Sequence, residues 1–247
     1  EENDLVNKRI RIALLVLVVA VFAIVFGSLW LFRDRPPEEL LSLTPPLLIQ
    51  SQYLDQFARA TGPVPFEFPR DHGPHPSYQT EWWYYTGNLQ SESGDRFGYQ
   101  LTFFRRALEP PELLPDRDSE WATGQLYLAH FAVTDVEGNR FYAFERTSRG
   151  TLGLAGSQAT PYRVWLENWE VRTTAEGAYQ LRAQQEDLEL VLTLNETKGP
   201  IFQGNQGYSQ KGPQPGNASY YYSLPRLETS GSLEIANSSF AVTGTSW

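Results

Sequence analysis

After residue 69, apolar and polar positions alternate in short runs. This is the spacing of half-buried β-strands, whose successive side chains point to opposite faces. Phe97, Tyr99, Leu101 and Phe103 alternate with Gly98, Gln100 and Thr102. Similar runs predict strands over 125–134, 140–145, 162–171, 178–183, 188–194, 219–223, 232–236 and 240–243. Ser93-Gly94-Asp95, Glu137-Gly138-Asn139 and Ala175-Glu176-Gly177 fall between runs, where hairpins need residues that tolerate positive φ. About ten short strands at regular spacing, with no βαβ alternation, predict an all-β antiparallel barrel or sandwich.

The densest stretch is Glu81-Trp82-Trp83-Tyr84-Tyr85, ahead of Thr86-Gly87-Asn88. In a strand, Trp82 and Tyr84 share one face with Thr86, and Trp83 and Tyr85 share the other. A strand apolar on both sides is expected where one face lines an interior and the other is covered by protein or by a membrane surface.

The N-terminal part breaks this alternation. The run 12–32 opens at Ile12, carries no charge and closes with Trp30 and Phe32. It matches the roughly 20 residues that cross a bilayer as a helix, with Trp30 suited to an interfacial belt. The run is too long for the apolar core of a signal peptide, so a retained single-pass anchor is predicted. Lys8, Arg9 and Arg11 precede it and Arg33 and Arg35 follow. This slight basic excess, with the large domain that follows, predicts a bacterial inner-membrane protein whose C-terminal domain is periplasmic. Pro36-Pro37 and Pro45-Pro46 stiffen a linker, and the apolar spacing over 47–60 predicts a short amphipathic helix ended by Thr61-Gly62-Pro63. The expected organisation is an N-terminal tail (1–11), a transmembrane helix (12–32), a Pro-rich linker with its helix (33–67) and one β domain (68–247).

Composition narrows the function classes. A net charge of -9 over 247 residues, without a basic face, argues against nucleic acid. Absence of Cys removes disulfide and thiolate chemistry. Absence of Met indicates a sequence that was processed or that begins inside a longer one.

The residues Phe68-Pro69-Arg70-Asp71-His72-Gly73-Pro74-His75 and Thr80-Glu81-Trp82-Trp83-Tyr84-Tyr85-Thr86-Gly87-Asn88-Leu89 resemble the carotenoid 1,2-hydratase (hydroxyneurosporene synthase) family and related secreted hydrolases with lipocalin-like domains. Trp165-Leu166-Glu167-Asn168-Trp169, Lys198-Gly199-Pro200, Tyr220-Tyr221-Tyr222-Ser223 with Arg226, and Val242-Thr243-Gly244-Thr245-Ser246-Trp247 continue the likeness in the family's order. The resemblance implies a lipocalin-like, calycin-type antiparallel barrel, normally one of two in tandem. In that family the segment like Gly244-Thr245-Ser246-Trp247 runs on into an Asp-His-Glu-Trp stretch credited with hydratase chemistry, so any catalytic segment is expected beyond Trp247.

Hydration of an isoprenoid double bond needs a general acid, water and aromatic faces to stabilise a cation. Glu81, Asp71 and His75 are the candidate acid–base residues. Trp82, Trp83, Tyr84 and Tyr85 are the candidate ligand or interface residues. Against this stands the plainer reading, in which Glu81 and His75 make structural hydrogen bonds at the barrel's opening. His72, His75 and His130 are the only histidines, and their spacing in a Gly-Pro turn does not predict a metal site. No Gly-x-Ser-x-Gly elbow supplies a nucleophile. The leading expectation is a non-catalytic accessory subunit of a membrane complex, photosynthetic reaction-centre or light-harvesting assemblies included. Its partners would be membrane-protein subunits and the bilayer, with a carotenoid or lipid as the bound molecule and no cofactor. The alternative is a carotenoid hydratase or lipid-active hydrolase.

Overall fold

The structure, a computed structural model, describes residues 54–113 and 123–247. Ile12, Trp30, Phe32 and the rest of the 12–32 run lie outside the described residues. Among the described residues no helix is long and apolar enough to cross a membrane.

Alternation becomes strands almost throughout. The main sheet contains β1 (Thr80–Ser91), β2 (Arg96–Ala107), β3 (Gln125–Asp135), β4 (Arg140–Arg149), β5 (Ala155–Ala159) and β6 (Tyr162–Leu166). Its remaining strands are β7 (Trp169–Thr173), β8 (Tyr179–Gln185), β9 (Leu188–Glu196), β14 (Leu227–Ile235) and β15 (Ser238–Ser246). Four short strands, β10 (Ile201–Phe202), β11 (Tyr208–Gln210), β12 (Ala218–Tyr220) and β13 (Tyr222–Ser223), form two small ribbons in the β9–β14 connection.

The strand order is β4-β3-β2-β1-β15-β14-β9-β8-β7-β6-β5, antiparallel between all neighbours. The sheet curls into a nearly closed barrel with β4 and β5 as its edges. Side chains bridge this seam: Arg146 of β4 lies 4.2 Å over the Trp169 ring and donates to Gln184 O and Gln185 Oε1. The inward positions of the strands, Leu101, Phe103, Phe131, Val164, Trp169, Leu181, Leu190 and Leu192 among them, are fully buried. Each such side chain contributes about 1.5–3 kcal/mol of burial.

Gly94 (φ 95°), Asn139 (φ 49°) and Gly177 (φ 86°) turn the predicted hairpins. The run expected over 162–171 is two strands, because Glu167 adopts φ 57° and reverses the chain between Leu166 and Trp169. The run 219–223 likewise splits between β12 and β13. The described part of the helix expected over 47–60 is one 3-10 turn, Leu54–Gln56. Beyond it the Ala58 N–H donates to Ser77 O at 3.0 Å in a bridge beside Tyr78, so the chain is extended there. Phe57 and Ala60 are buried in this arrangement. Close approach of β1 to β15 requires Gly87, where a Cβ would lie 2.5 Å from Ser246 Oγ.

Candidate functional site

The strands β1, β6, β8 and β14 open towards one end of the barrel, where a strap (57–79) and the β9–β14 connection fold over the mouth. A cavity of about 670 Å³ lies there.

Along β1 the predicted alternation holds. Glu81, Trp83 and Tyr85 face inward, while Trp82 and Tyr84 are exposed on the outer face. Glu81 lies opposite Arg105 in the β1–β2 register, so a carboxylate and a guanidinium share the inner face. Arg105 is fully buried. Its Nε donates to Glu81 Oε2 at 2.9 Å, and its Nη2 donates to His75 O at 3.0 Å and Tyr78 O at 2.6 Å. The other oxygen of Glu81 receives the His75 backbone N–H at 2.7 Å and lies 2.8 Å from His75 Nδ1. His75 Nε2 in turn stands 3.6 Å from Asp71 Oδ1. The Glu81 hydrogen bond raises the His75 pKa above the usual imidazole value, against the opposing effect of burial.

Asp71 sits in a 3-10 turn, Arg70–His72, at the base of the strap. Its carboxylate accepts the Glu67 N–H at 2.7 Å and Arg70 Nε at 2.8 Å. Burial alone would raise the Asp71 pKa, but the Arg70 and Glu67 hydrogen bonds together hold it below the ordinary value. Asp71, His75 and Glu81 are therefore brought together, as one polar network that with Arg105 pins the strap to β1 and β2.

Deeper in the mouth lies a cluster of phenols. Tyr85 OH and Tyr162 OH are 2.7 Å apart. The Tyr179 ring lies 5.9 Å from Tyr162 and 6.0 Å from His72. Tyr222 OH is 2.8 Å from His72 Nδ1, His72 stacks on Phe68 at 4.6 Å, and Trp83 Nε1 donates to His72 O at 2.9 Å. Burial pushes the phenols of Tyr85, Tyr162, Tyr179 and Tyr222 up and the imidazole of His72 down. At neutral pH this wall is uncharged yet rich in hydroxyls. It can hold an apolar body and hydrogen-bond one polar group.

The four aromatics of the β1 run thus divide: Trp83 and Tyr85 belong to the inner wall, while Trp82 packs edge-on against Tyr221 at 6.0 Å on the outer rim near Tyr84. His72, Arg105, Tyr162, Tyr179 and Tyr222 are absent from the sequence-derived candidates. Arg105 left a trace as a charged residue continuing the inward series Phe97, Tyr99, Leu101, Phe103, and His72 and Tyr222 as members of the stretches that carry the family resemblance. His130 lies on β3 with Nε2 3.0 Å from Glu145, apart from His72 and His75. Among the described residues no group of three or more His, Cys, Asp or Glu is arranged to hold a metal ion.

A nearly closed antiparallel barrel with a cavity at one end defines a lipocalin-like protein. The AttH-like family profile matches residues 59–247, and the chain belongs to that family. The crystal structure of an AttH protein from Nitrosomonas europaea superposes with a TM-score of 0.68 at 34% identity, covering 77% of this chain and 56% of that one. Kievitone hydratase from Nectria haematococca is similar in fold, with a TM-score of 0.54 at 13% identity, covering 78% of this chain and 56% of that one. The chain therefore spans little more than half the length of either structure. No curated protein matches it.

Proposed function

We propose that the chain is a membrane-tethered binding subunit whose barrel mouth holds an uncharged lipophile, a carotenoid or other isoprenoid being the candidate class. The observation that carries this reading is the cavity of about 670 Å³, within the size range of small-molecule sites. Its walls are aromatic and its cations are committed: Arg70 pairs with Glu67 and Asp71, and Arg105, just behind, pairs with Glu81. The phenols suit a hydroxyl or carbonyl group. The uncharged 12–32 run supports the tether, an inner-membrane location with the barrel in the periplasm, and an accessory place in a membrane complex. The test is to purify the full chain in mild detergent, extract it with organic solvent and identify what it carries. A neutral carotenoid or lipid near one per chain is expected. An empty chain whose tryptophan fluorescence does not respond to an added acyclic carotene sinks the reading, and a chain that always migrates alone removes the complex.

One contact favours a second reading, acid–base chemistry on the bound molecule. Tyr222 OH meets His72 Nδ1 at 2.8 Å in the cavity wall. In hydration, one alkene carbon takes a proton from the donor and the other takes water, whose released proton returns through the pair. Asp71 is poorly suited as the acid because Arg70 holds it ionised, and Glu81 faces the Arg105 cation. Product analysis with an acyclic carotene, comparing the parent with Tyr222→Phe and Glu81→Gln, decides the matter. Undiminished hydration by Tyr222→Phe removes that residue from the chemistry, and no product from the parent removes the reading.

A further inference from the structure

Apolar side chains crowd the outside of the mouth. Val64, Trp82, Tyr84 and Trp247 are among the residues that line the cavity, and all four are exposed. Phe66 lines the same cavity, and the ring of Phe202, which with Ile201 forms β10, lies 5.1 Å from it. The six side chains other than Phe66 are between 37% and 46% exposed. Single exposed hydrophobics are ordinary, but a contiguous set around an opening marks a contact surface.

The chemistry and position of this set select its occupant. Tryptophan and tyrosine, with an apolar body and a polar tip, favour the headgroup boundary of a bilayer. A net charge of -9 gives no electrostatic attraction to anionic lipid, so binding must come from apolar burial on a zwitterionic surface. The described chain also begins in the right place. From Leu54 it leads to Phe57, which is buried, and then to Ala60 and Val64, which line the cavity. The chain preceding Leu54 is therefore joined to the barrel at its mouth. Between Phe32 and Leu54 the connection spans at most roughly 75 Å when extended. With the run in a bilayer, even weak affinity of the rim becomes an intramolecular contact.

We infer that the rim formed by Val64, Trp82, Tyr84, Ile201, Phe202 and Trp247 docks on a zwitterionic phospholipid surface, so that the cavity exchanges its lipophile directly with the bilayer. What enters the cavity rests on the lipophile-binding reading; the docking surface does not.

Because the chain contains no Cys, single labels are placed cleanly by Phe202→Cys, Val64→Cys and Phe141→Cys. Phe141 is 69% exposed and lies next to the β3–β4 turn, at the far end of the strands from Thr80, so it serves as the reference. Each full-length variant is reconstituted in phosphatidylcholine vesicles, spin-labelled and tested for collision with oxygen and with an aqueous nickel chelate. The oxygen-to-nickel ratio at 64 and 202 is expected to be several-fold above that at 141. Equal ratios at all three positions overturn the docking. Shielding from both reagents at 64 and 202 also overturns it, since this marks a protein partner or a second copy instead. Circular dichroism checks each fold, and Val64→Cys on the strap carries the test where Phe202→Cys disturbs the β9–β14 connection. Ligand retention by the same variants in detergent separates the two ideas: retained ligand with water-exposed labels ends the docking alone, and lost ligand with lipid-facing labels ends the binding reading alone.

Discussion

Replacing Arg105 by Met tests whether the mouth is held by its buried ion pair. Met keeps most of the length of the side chain but cannot donate. The change leaves the Glu81 carboxylate, 13% exposed, without its cation and frees His75 O and Tyr78 O, which now accept from Nη2. Removing one partner of a buried pair costs about 3–5 kcal/mol. Two features place this case at the lower end, about 3 kcal/mol. His75 remains hydrogen-bonded to Glu81, and Arg105 Nη1 is buried without a hydrogen-bond partner, so Met displaces an imperfectly satisfied group. Urea unfolding of the full chain followed by tryptophan fluorescence measures the loss, with an unchanged m-value showing that the same surface unfolds. Adding Glu81→Gln to Arg105→Met removes the stranded charge and is expected to recover about 1 kcal/mol or more. A cost below about 1 kcal/mol for Arg105→Met, or no recovery in the double variant, would refute the claim that this pair fastens the strap.

Other outcomes follow from the same geometry. Tyr162→Phe strands the buried Tyr85 hydroxyl and should cost about 1–2 kcal/mol in urea unfolding; a neutral result means that Tyr85 finds another partner. Arg146→Ala opens the seam between β4 and the β6–β9 hairpins, at about 2 kcal/mol, and amide exchange should rise first in β4. Gly87→Ala forces a Cβ against Ser246 Oγ and Thr245 O and should cost about 1–3 kcal/mol, read as a lowered melting temperature. The two strap histidines should act oppositely with pH. His75, whose pKa is raised, adds stability that is complete below about 6.5 and is lost as pH rises through its native pKa. His72, whose pKa is depressed, favours the fold above about 6.5 and opposes it as pH falls. Melting curves of His75→Gln and His72→Gln across pH 5–8, a window of roughly that span, should therefore lose slopes of opposite sign.

The barrel was readable because period-two alternation is local. Phe97 to Phe103 declare their inward face without reference to any other strand, and the β1 run declares that Trp83 and Tyr85 lie opposite Trp82 and Tyr84, though not which pair is inward. Hairpin turns were equally plain where Gly94 or Gly177 supplied positive φ. The reversal at Glu167 and the break between β12 and β13 were not, because no glycine marks them. The 47–60 spacing suggested a helix, yet its described end is governed by a bridge from Ala58 to Tyr78, a partner that pattern analysis does not weigh.

Within the site the division is similar. Glu81, His75 and Asp71 are six and four residues apart, and their meeting was foreseeable from one short stretch. The cation that completes their network was not, since Arg105 is brought opposite Glu81 only by the β1–β2 register. The phenol cluster gathers Tyr85, Tyr162, Tyr179 and Tyr222 from four separate strands, with His72 from the strap. By itself the sequence determined the strands, the alternation of their two faces and the aromatic run, because these depend on each residue and its near neighbours. Only the tertiary structure decided which carboxylates are spent on cations, which phenols share one cavity and which aromatics are left facing outward. Those outcomes depend on strand order and register, and closure of a barrel sets both through contacts between residues up to about 150 positions apart, as Tyr222 and His72 are.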